Sequence, residues 1–365
     1  MVAQLCVRGL LVQRNLNFEW LLEFVLACNG TGSPVTTTAQ EEEADDAGKW
    51  SMSALNELAQ MRRTRGKKRQ SLTGRERREE RTAFGFLTPW LLGLALITVG
   101  PMVASLYLSF TDYNFLQDPQ WVGGENYVRL LNDPRFHQAL LVTFKYVVIS
   151  VPVQLAAALL VAIVLDRGLR GLALYRSAFY LPSLLGGSVA IAILWRQIFG
   201  AEGLVNWVLG LVGIEGMSWI ANPETALGTL IVLNVWTFGA PMIIFLAGLR
   251  QIPTMYYEAA AVDGAGRARR FVKITLPLLS PIIFFNLILQ LIGAFQAFTQ
   301  AFIISGGNGS PADSTLFYTL YLYMRGFGNF EMGYASAMAW VLVAIIGLFT
   351  LINFVVSKYW VFYDD

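Results

Sequence analysis

The residues whose types and spacing best suit a chemical task lie in one polar loop. It reads Glu258-Ala259-Ala260-Ala261-Val262-Asp263-Gly264 and continues to Ile274-Thr275-Leu276-Pro277. The spacing predicts a short helix over Met255–Val262 that stops near Gly264 and Gly266. Glycine just past a helix end takes the left-handed conformation at little cost. Ala259, Ala260 and Ala261 give that helix a low-relief face, which a groove in another protein could grip by close backbone approach. Arg267, Arg269 and Arg270 follow, and Leu276-Pro277 is expected to open the next helix, where proline is well tolerated. A second polar set stands in apolar surroundings: Asn234, Thr237, Asn286, Gln290, Gln296, Thr299 and Gln300. Gln296 and Gln300 are four apart and share a helix face, with Phe295, Phe298 and Phe302 on a neighbouring face. Amides beside aromatic rings suit a polar, uncharged solute. Catalytic chemistry is thin by comparison. Cys6 and Cys28 have no metal-ligand spacing, and His137 reads as solvated or interfacial. There is no glycine-rich phosphate loop and no nucleophile–base pair. The chain therefore reads as no enzyme, with no catalytic residue, no metal and no cofactor of its own.

These residues are embedded in a membrane-like sequence. The chain is 55% hydrophobic and 14% charged, against about a quarter charged in soluble domains. Six charge-free runs are long enough to cross a bilayer, which takes about 20 residues. They are Thr82–Thr111, Tyr146–Leu165, Ser177–Trp195, Thr225–Leu249, Leu279–Ile304 and Met332–Ser357. The runs are continuous rather than alternating, so helices are expected. Trp90, Tyr180, Trp195, Trp340, Tyr359 and Trp360 lie near run boundaries, where amphipathic rings suit the interface. Pro89, Pro101, Pro152, Pro182 and Pro241 fall within or beside spans, and Gly93, Gly186 and Gly187 would permit close helix approach. No Asp, Glu, Lys or Arg lies within the spans. That argues against a proton-coupled secondary transporter and against a membrane-embedded enzyme.

Orientation follows from Lys and Arg. Ten precede the first span between Arg62 and Arg81, three lie between spans 2 and 3, five lie between Arg250 and Lys273, and Lys358 follows span 6. The other side holds five: Arg129, Arg135, Lys145, Arg196 and Arg325. Both termini and the loop at 251–275 are therefore expected in the cytoplasm. Residues 1–81 read as a cytoplasmic extension, partly disordered and basic near the membrane, and 82–360 as the six-helix domain. Trp20–Cys28 is too short to span, and an exported N-terminus would invert every later loop. One reading of residues 1–60 is that the cellular start is Met52 or Met61.

At this point the sequence resembles a known family. Glu258, Ala259, Ala260, Gly264, Ile274, Leu276 and Pro277 fit the E-A-A, three residues, G, nine residues, I-x-L-P pattern of ABC-importer permeases. Ser109–Tyr113, Trp121–Tyr127, Leu174-Tyr175-Arg176, Leu181-Pro182, Ser305-Gly306-Gly307 and Gly333-Tyr334-Ala335 resemble the carbohydrate-uptake group, in particular its maltose- and glycerol-3-phosphate-type first permease. The resemblance covers roughly 83–360. It implies an all-α membrane protein of the type I ABC importer permease fold, multi-pass in a bacterial inner membrane. It also implies that the loop is a coupling helix docked in an ATPase cleft, with Glu258 and Asp263 in polar contact and Gly264 at the turn. Partners implied are a second related permease, two ATPase subunits carrying ATP and Mg, and an extracytoplasmic solute-binding protein; nucleic acid is not expected. Asn234, Thr237, Gln290, Gln296 and Gln300 are the candidate substrate path. A permease for phosphate esters or oligopeptides is the alternative.

Overall fold

The computed structural model describes residues 74–168 and 171–362. The readings of residues 1–60 and of the basic stretch before Arg75 lie outside them. Of the described residues, 74–101 fall in one compact unit and 102–362 in another.

Among the described residues the architecture is helical, with one two-stranded β-ribbon. Helix α1 (Gly74–Gly93) passes through a π-helical stretch, Leu94–Val99, into α2 (Gly100–Leu108). The ribbon pairs β1 (Thr111–Asp112) with β2 (Gln120–Trp121) in antiparallel fashion. Then come α3 (Glu125–Leu131) and α4 (Pro134–Asp166). Next are α5 (Leu172–Leu185), α6 (Val189–Ile198) and α7 (Leu204–Leu211), followed by α8 (Pro223–Trp236) and α9 (Gly239–Leu249). The polar loop holds α10 (Thr254–Val262) and α11 (Arg267–Arg270), which leads through a π-helical Phe271–Thr275 into α12 (Leu276–Phe295). The chain ends with α13 (Thr299–Ile304), α14 (Tyr318–Tyr323) and α15 (Met332–Ser357).

Four helices among the described residues are long and apolar enough to cross a membrane: Phe84–Leu108, Pro134–Asp166, Arg267–Ile304 and Met332–Ser357. Two bent pairs bring the number to six if each pair is one span: α5 with α6, bent by 98°, and α8 with α9, bent by 42°. The charge-free runs gave no sign of either bend beyond Pro182 and Pro241. The reason for the first bend is local. Pro182 lies in the last turns of α5, and Ser188 starts α6 as a true N-cap, accepting from the Ile191 N–H at 3.3 Å. At the second bend, Thr237 and Phe238 leave the helix before Gly239.

Helix α4 is the central post of the second unit, and α8, α9, α12 and α14 all pack on it. It begins as a sequence with Asp-Pro should: the Asp133 carboxylate accepts from the Arg135 N–H at 3.0 Å and Pro134 fills the first turn. Close crossings are set by glycine at one of the three positions expected, since Gly93 has open space around it. A Cβ on Gly186 would sit 2.1 Å from Thr237 Cγ2, whereas Gly187 has open space around it. Gly239 lies against the Phe179 carbonyl and Gly248 against Ile282.

Two π-helical stretches end directly before an X-Pro bond, at Gly100-Pro101 and Leu276-Pro277. In each, the last N–H reaches back five residues, from Gly100 to Ala95 and from Leu276 to Phe271. The wider turn makes room where proline has no N–H to give. The fifth span therefore starts at Arg267 rather than at Leu276, and Pro277 sits inside it.

A cluster of charge closes the end of the bundle at which α4 begins. Arg325 donates to Asp133 at 2.9 Å and to Glu331 at 3.2 Å, and Arg129 reaches Glu331 at 2.7 Å. The Tyr321 and Tyr334 hydroxyls also donate to Asp133, and Arg135 grips Asp313 with two bonds. Burial pushes the Asp133 carboxyl up, but the bonds from Tyr321, Tyr334 and Arg325 outweigh it and hold the group at about 2 instead of 3.8. A lowered carboxyl contributes stability above its unfolded value and loses it as pH falls through the folded one. Asp133→Asn is therefore expected to lower the thermal midpoint at neutral pH by roughly 4 °C, as loss of a charged hydrogen bond would. It is also expected to flatten the pH dependence between about 4 and 2, measured by thermal unfolding of the purified protein.

Candidate functional site

A cavity of about 290 Å³ lies between α4, α5, α8 and α12, beside the two helix breaks. Its size is near the lower bound of small-molecule sites, about 300 Å³. Asn234 and Thr237 line it from α8 and its end; Gln296, Phe298, Thr299 and Gln300 line it from the break between α12 and α13; Gly186 and Tyr146 complete the wall. No lining side chain carries a formal charge. Four of the five candidate path residues, Asn234, Thr237, Gln296 and Gln300, are thus brought together. Gln290 is not among the lining residues. Asn286 is turned to its own helix, donating to the Ile282 carbonyl at 3.0 Å.

The aromatic stripe is broken up. Helix α12 ends at Phe295, which is 1% exposed and packs on Phe349 with ring centroids 5.4 Å apart. Phe298 lies outside regular helix and lines the cavity, while Phe302 packs on Phe298 and Tyr323. The expectation of one continuous face assumed a helix through residues 296–298, where the structure has a break.

Hydrogen bonds divide the cavity amides into two kinds. Gln300 Nε2 donates to the Gly186 carbonyl at 2.9 Å, at the break of span 3. Asn234 Nδ2 donates to Gln154 Oε1 at 3.2 Å, and Thr237 Oγ1 donates to the Asn234 carbonyl at 2.7 Å. Gln154 comes from α4, is 2% exposed, and did not stand out in the sequence as one amide in an apolar run. The Gln296 amide and the Thr299 hydroxyl line the cavity and have no hydrogen-bond partner among the described residues.

The polar loop is built on the other end of the bundle, about 50 Å from Asp133 along the 33-residue helix α4. Asp166 at the end of α4 pairs with Arg250 at 3.4 Å, where the loop begins. Helix α10 then runs one residue longer than expected at its start and ends in a Schellman stop. The Gly264 N–H donates to Ala261 O at 3.1 Å, the Ala265 N–H donates to Ala260 O at 2.9 Å, and Gly264 has φ +75°. Gly266 has an ordinary extended backbone and precedes α11 instead of stopping α10. Tyr257 anchors the inner side, its hydroxyl 2.9 Å from Thr275 Oγ1 at the foot of span 5. The outer side is bare. Glu258, Ala259, Asp263 and Gly264 are exposed, Ala260 is half-buried, and Val262 is 89% exposed. Neither carboxylate has a hydrogen-bond or ion-pair partner among the described residues.

Comparison with known proteins gives this arrangement a family. The model of the binding-protein-dependent transport system inner membrane component matches residues 130–360. The chain belongs to that family and is an integral membrane permease of the ABC-transporter type. It is 53% identical over 291 residues to the probable ABC transporter permease protein YesP of Bacillus subtilis, covering 79% of this chain and 94% of the relative. It is 33% identical over 279 residues to the lactose transport system permease protein LacF of Rhizobium radiobacter, covering 75% and 93%. In fold it is similar to a chain of a bacterial alginate ABC transporter in complex with an alginate pentasaccharide-bound periplasmic protein. The TM-score is 0.68, at 21% identity and with 77% and 95% of the chains covered.

The two kinds of amide differ in what their loss does. Gln300→Ala leaves the Gly186 carbonyl without its donor and is expected to cost about 1–3 kcal/mol. Gln296→Ala removes no internal bond and is expected to stay within about 0.5 kcal/mol of the parent. Thermal unfolding in detergent checks both.

Proposed function

We propose that this chain is the transmembrane permease of a binding-protein-dependent ABC importer for sugars, forming half of the translocation path in a bacterial inner membrane. The observation that carries the reading is helix α10. It is exposed on its small-residue face, held at a fixed angle by its glycine stop, and tied to span 5 through Tyr257 and Thr275. Such a helix can fill a groove on a second protein and pass its motion to the bundle.

In this reading the groove belongs to a cytoplasmic ATPase. Two ATPase subunits bind ATP and Mg, and their closure pushes on α10. A second, related permease completes the path, and an extracytoplasmic binding protein delivers the solute. Glu258 and Asp263 supply the polar contacts of the docked helix. Both chain termini then lie in the cytoplasm, with six spans. The names of the relatives support a carbohydrate, and the cavity's chemistry supports an uncharged one. Gln296 and Thr299 are free to meet hydroxyl groups, and Phe298 offers a ring to the apolar side of a sugar. The absence of Arg and Lys among the lining residues disfavours a phosphate ester.

Gly264→Val tests the coupling role. A branched residue is strained at φ +75° and would re-aim the end of α10. Sugar uptake by cells carrying the variant is expected to fall to background while the protein still inserts in the membrane. Normal uptake would contradict the coupling role.

A further inference from the structure

Proline at position 241 creates a problem that the fold solves from a distance. In a helix running through the fourth span, the residue 241 N–H would bond the Thr237 carbonyl. Proline has no N–H, so that carbonyl loses its donor. Elsewhere the chain answers locally. It widens to a π-helix before Pro101 and Pro277, and Ser280 Oγ donates at 2.6 Å to the Pro277 carbonyl that Pro281 leaves. At Pro241 there is no wider turn, and the helix breaks after Trp236. The replacement donor is Gln154 of span 2. Its Nε2 lies 3.3 Å from the Thr237 carbonyl and 3.1 Å from Thr237 Oγ1.

The same amide has a second partner. Gln154 Oε1 accepts from Asn234 Nδ2 at 3.2 Å. With its nitrogen held, Asn234 has its carbonyl oxygen left as the group to offer the cavity that it lines. We propose that Gln154 is a positioning residue of the translocation path, which holds the proline break of span 4 closed and sets Asn234 as a hydrogen-bond acceptor for solute hydroxyls. The second half of this statement rests on the sugar-importer reading above; the first half does not. Gln154 touches no solute itself, and it acts through Thr237 and Asn234.

The test is a cycle of Gln154→Leu, Pro241→Ala and the double variant, made in the full chain and purified with its partner subunits. Gln154→Leu leaves the Thr237 carbonyl without a donor, and the thermal midpoint is expected to fall by roughly 4 °C. Pro241→Ala restores a backbone N–H four residues on. The double variant is therefore expected to recover most of the midpoint, where a residue that merely packs would give additive losses. Equal, additive losses would overturn the clamp. The second readout is sugar moved per ATP hydrolysed in proteoliposomes, with radiolabelled lactose, trehalose and arabinotriose as probes. The double variant restores the carbonyl but not the hold on Asn234. Its sugar-to-ATP ratio is expected to stay several-fold below the parent although its midpoint recovers. Recovery of the ratio together with the midpoint would overturn the role at Asn234. Failure of the parent to move any of the three sugars would count against the importer reading, and the midpoint cycle would still decide the clamp.

Discussion

A backbone carbonyl inside a bilayer has no water to turn to, so each one freed by a proline or by a helix break must find a donor within the protein. That constraint organises the described bundle. Gly186 and Thr237 stand at the breaks of two spans, and each has its carbonyl capped by a side-chain amide from another span. The capping residues, Gln300 and Gln154, draw spans 2, 3, 4 and 5 to one place. The cavity lies there because the breaks lie there. A bent helix cannot pack flush on its neighbours, and the space it leaves is lined by the polar groups that the break required.

The same economy links the cavity to the polar loop. Helix α9 runs from the break of span 4 to Leu249, the Asp166–Arg250 pair holds its far end to α4, and α10 follows within a few residues. Span 5 returns from the loop to the break at residues 296–298, which lines the cavity again. In the proposed function, a push on α10 is thus delivered to both helices that carry the path. The charged cluster around Asp133 holds the opposite end, where α4, α14 and α15 meet. In the proposed function it ties that end together while the push is delivered at the other.

The sequence made some of this legible and hid the rest, for physical reasons. The spans were legible because a bilayer demands long charge-free runs, and α10 because its glycine stop and its alanines are local features. The π-helical stretches were not, since a run of apolar residues looks the same at either helix pitch. Nor was the bend at residues 186–188, because hydropathy records which residues meet lipid and not the direction of the chain. Gln154 was missed because its meaning lies in Thr237 and Asn234, some 80 residues away. The Asp133 cluster joins residues up to 202 apart and was not read from the sequence; the Asp133-Pro134 pair, a helix-start signal, is the one local feature that could have pointed to its first member. Gln290, an amide in the same run as Gln296, is not among the residues that line the cavity.

The central claim is that α10 is the surface on which another protein acts. Its most direct test is a photo-crosslinking amino acid at Val262, the most exposed apolar side chain of that helix. The variant is expressed with its partner subunits in its own membrane and irradiated, and the adduct is identified by mass spectrometry. The account predicts a single protein adduct, to an ATPase subunit, whose yield changes when ATP is added. Adducts to lipid alone, or to a protein with no nucleotide-binding site, would contradict it.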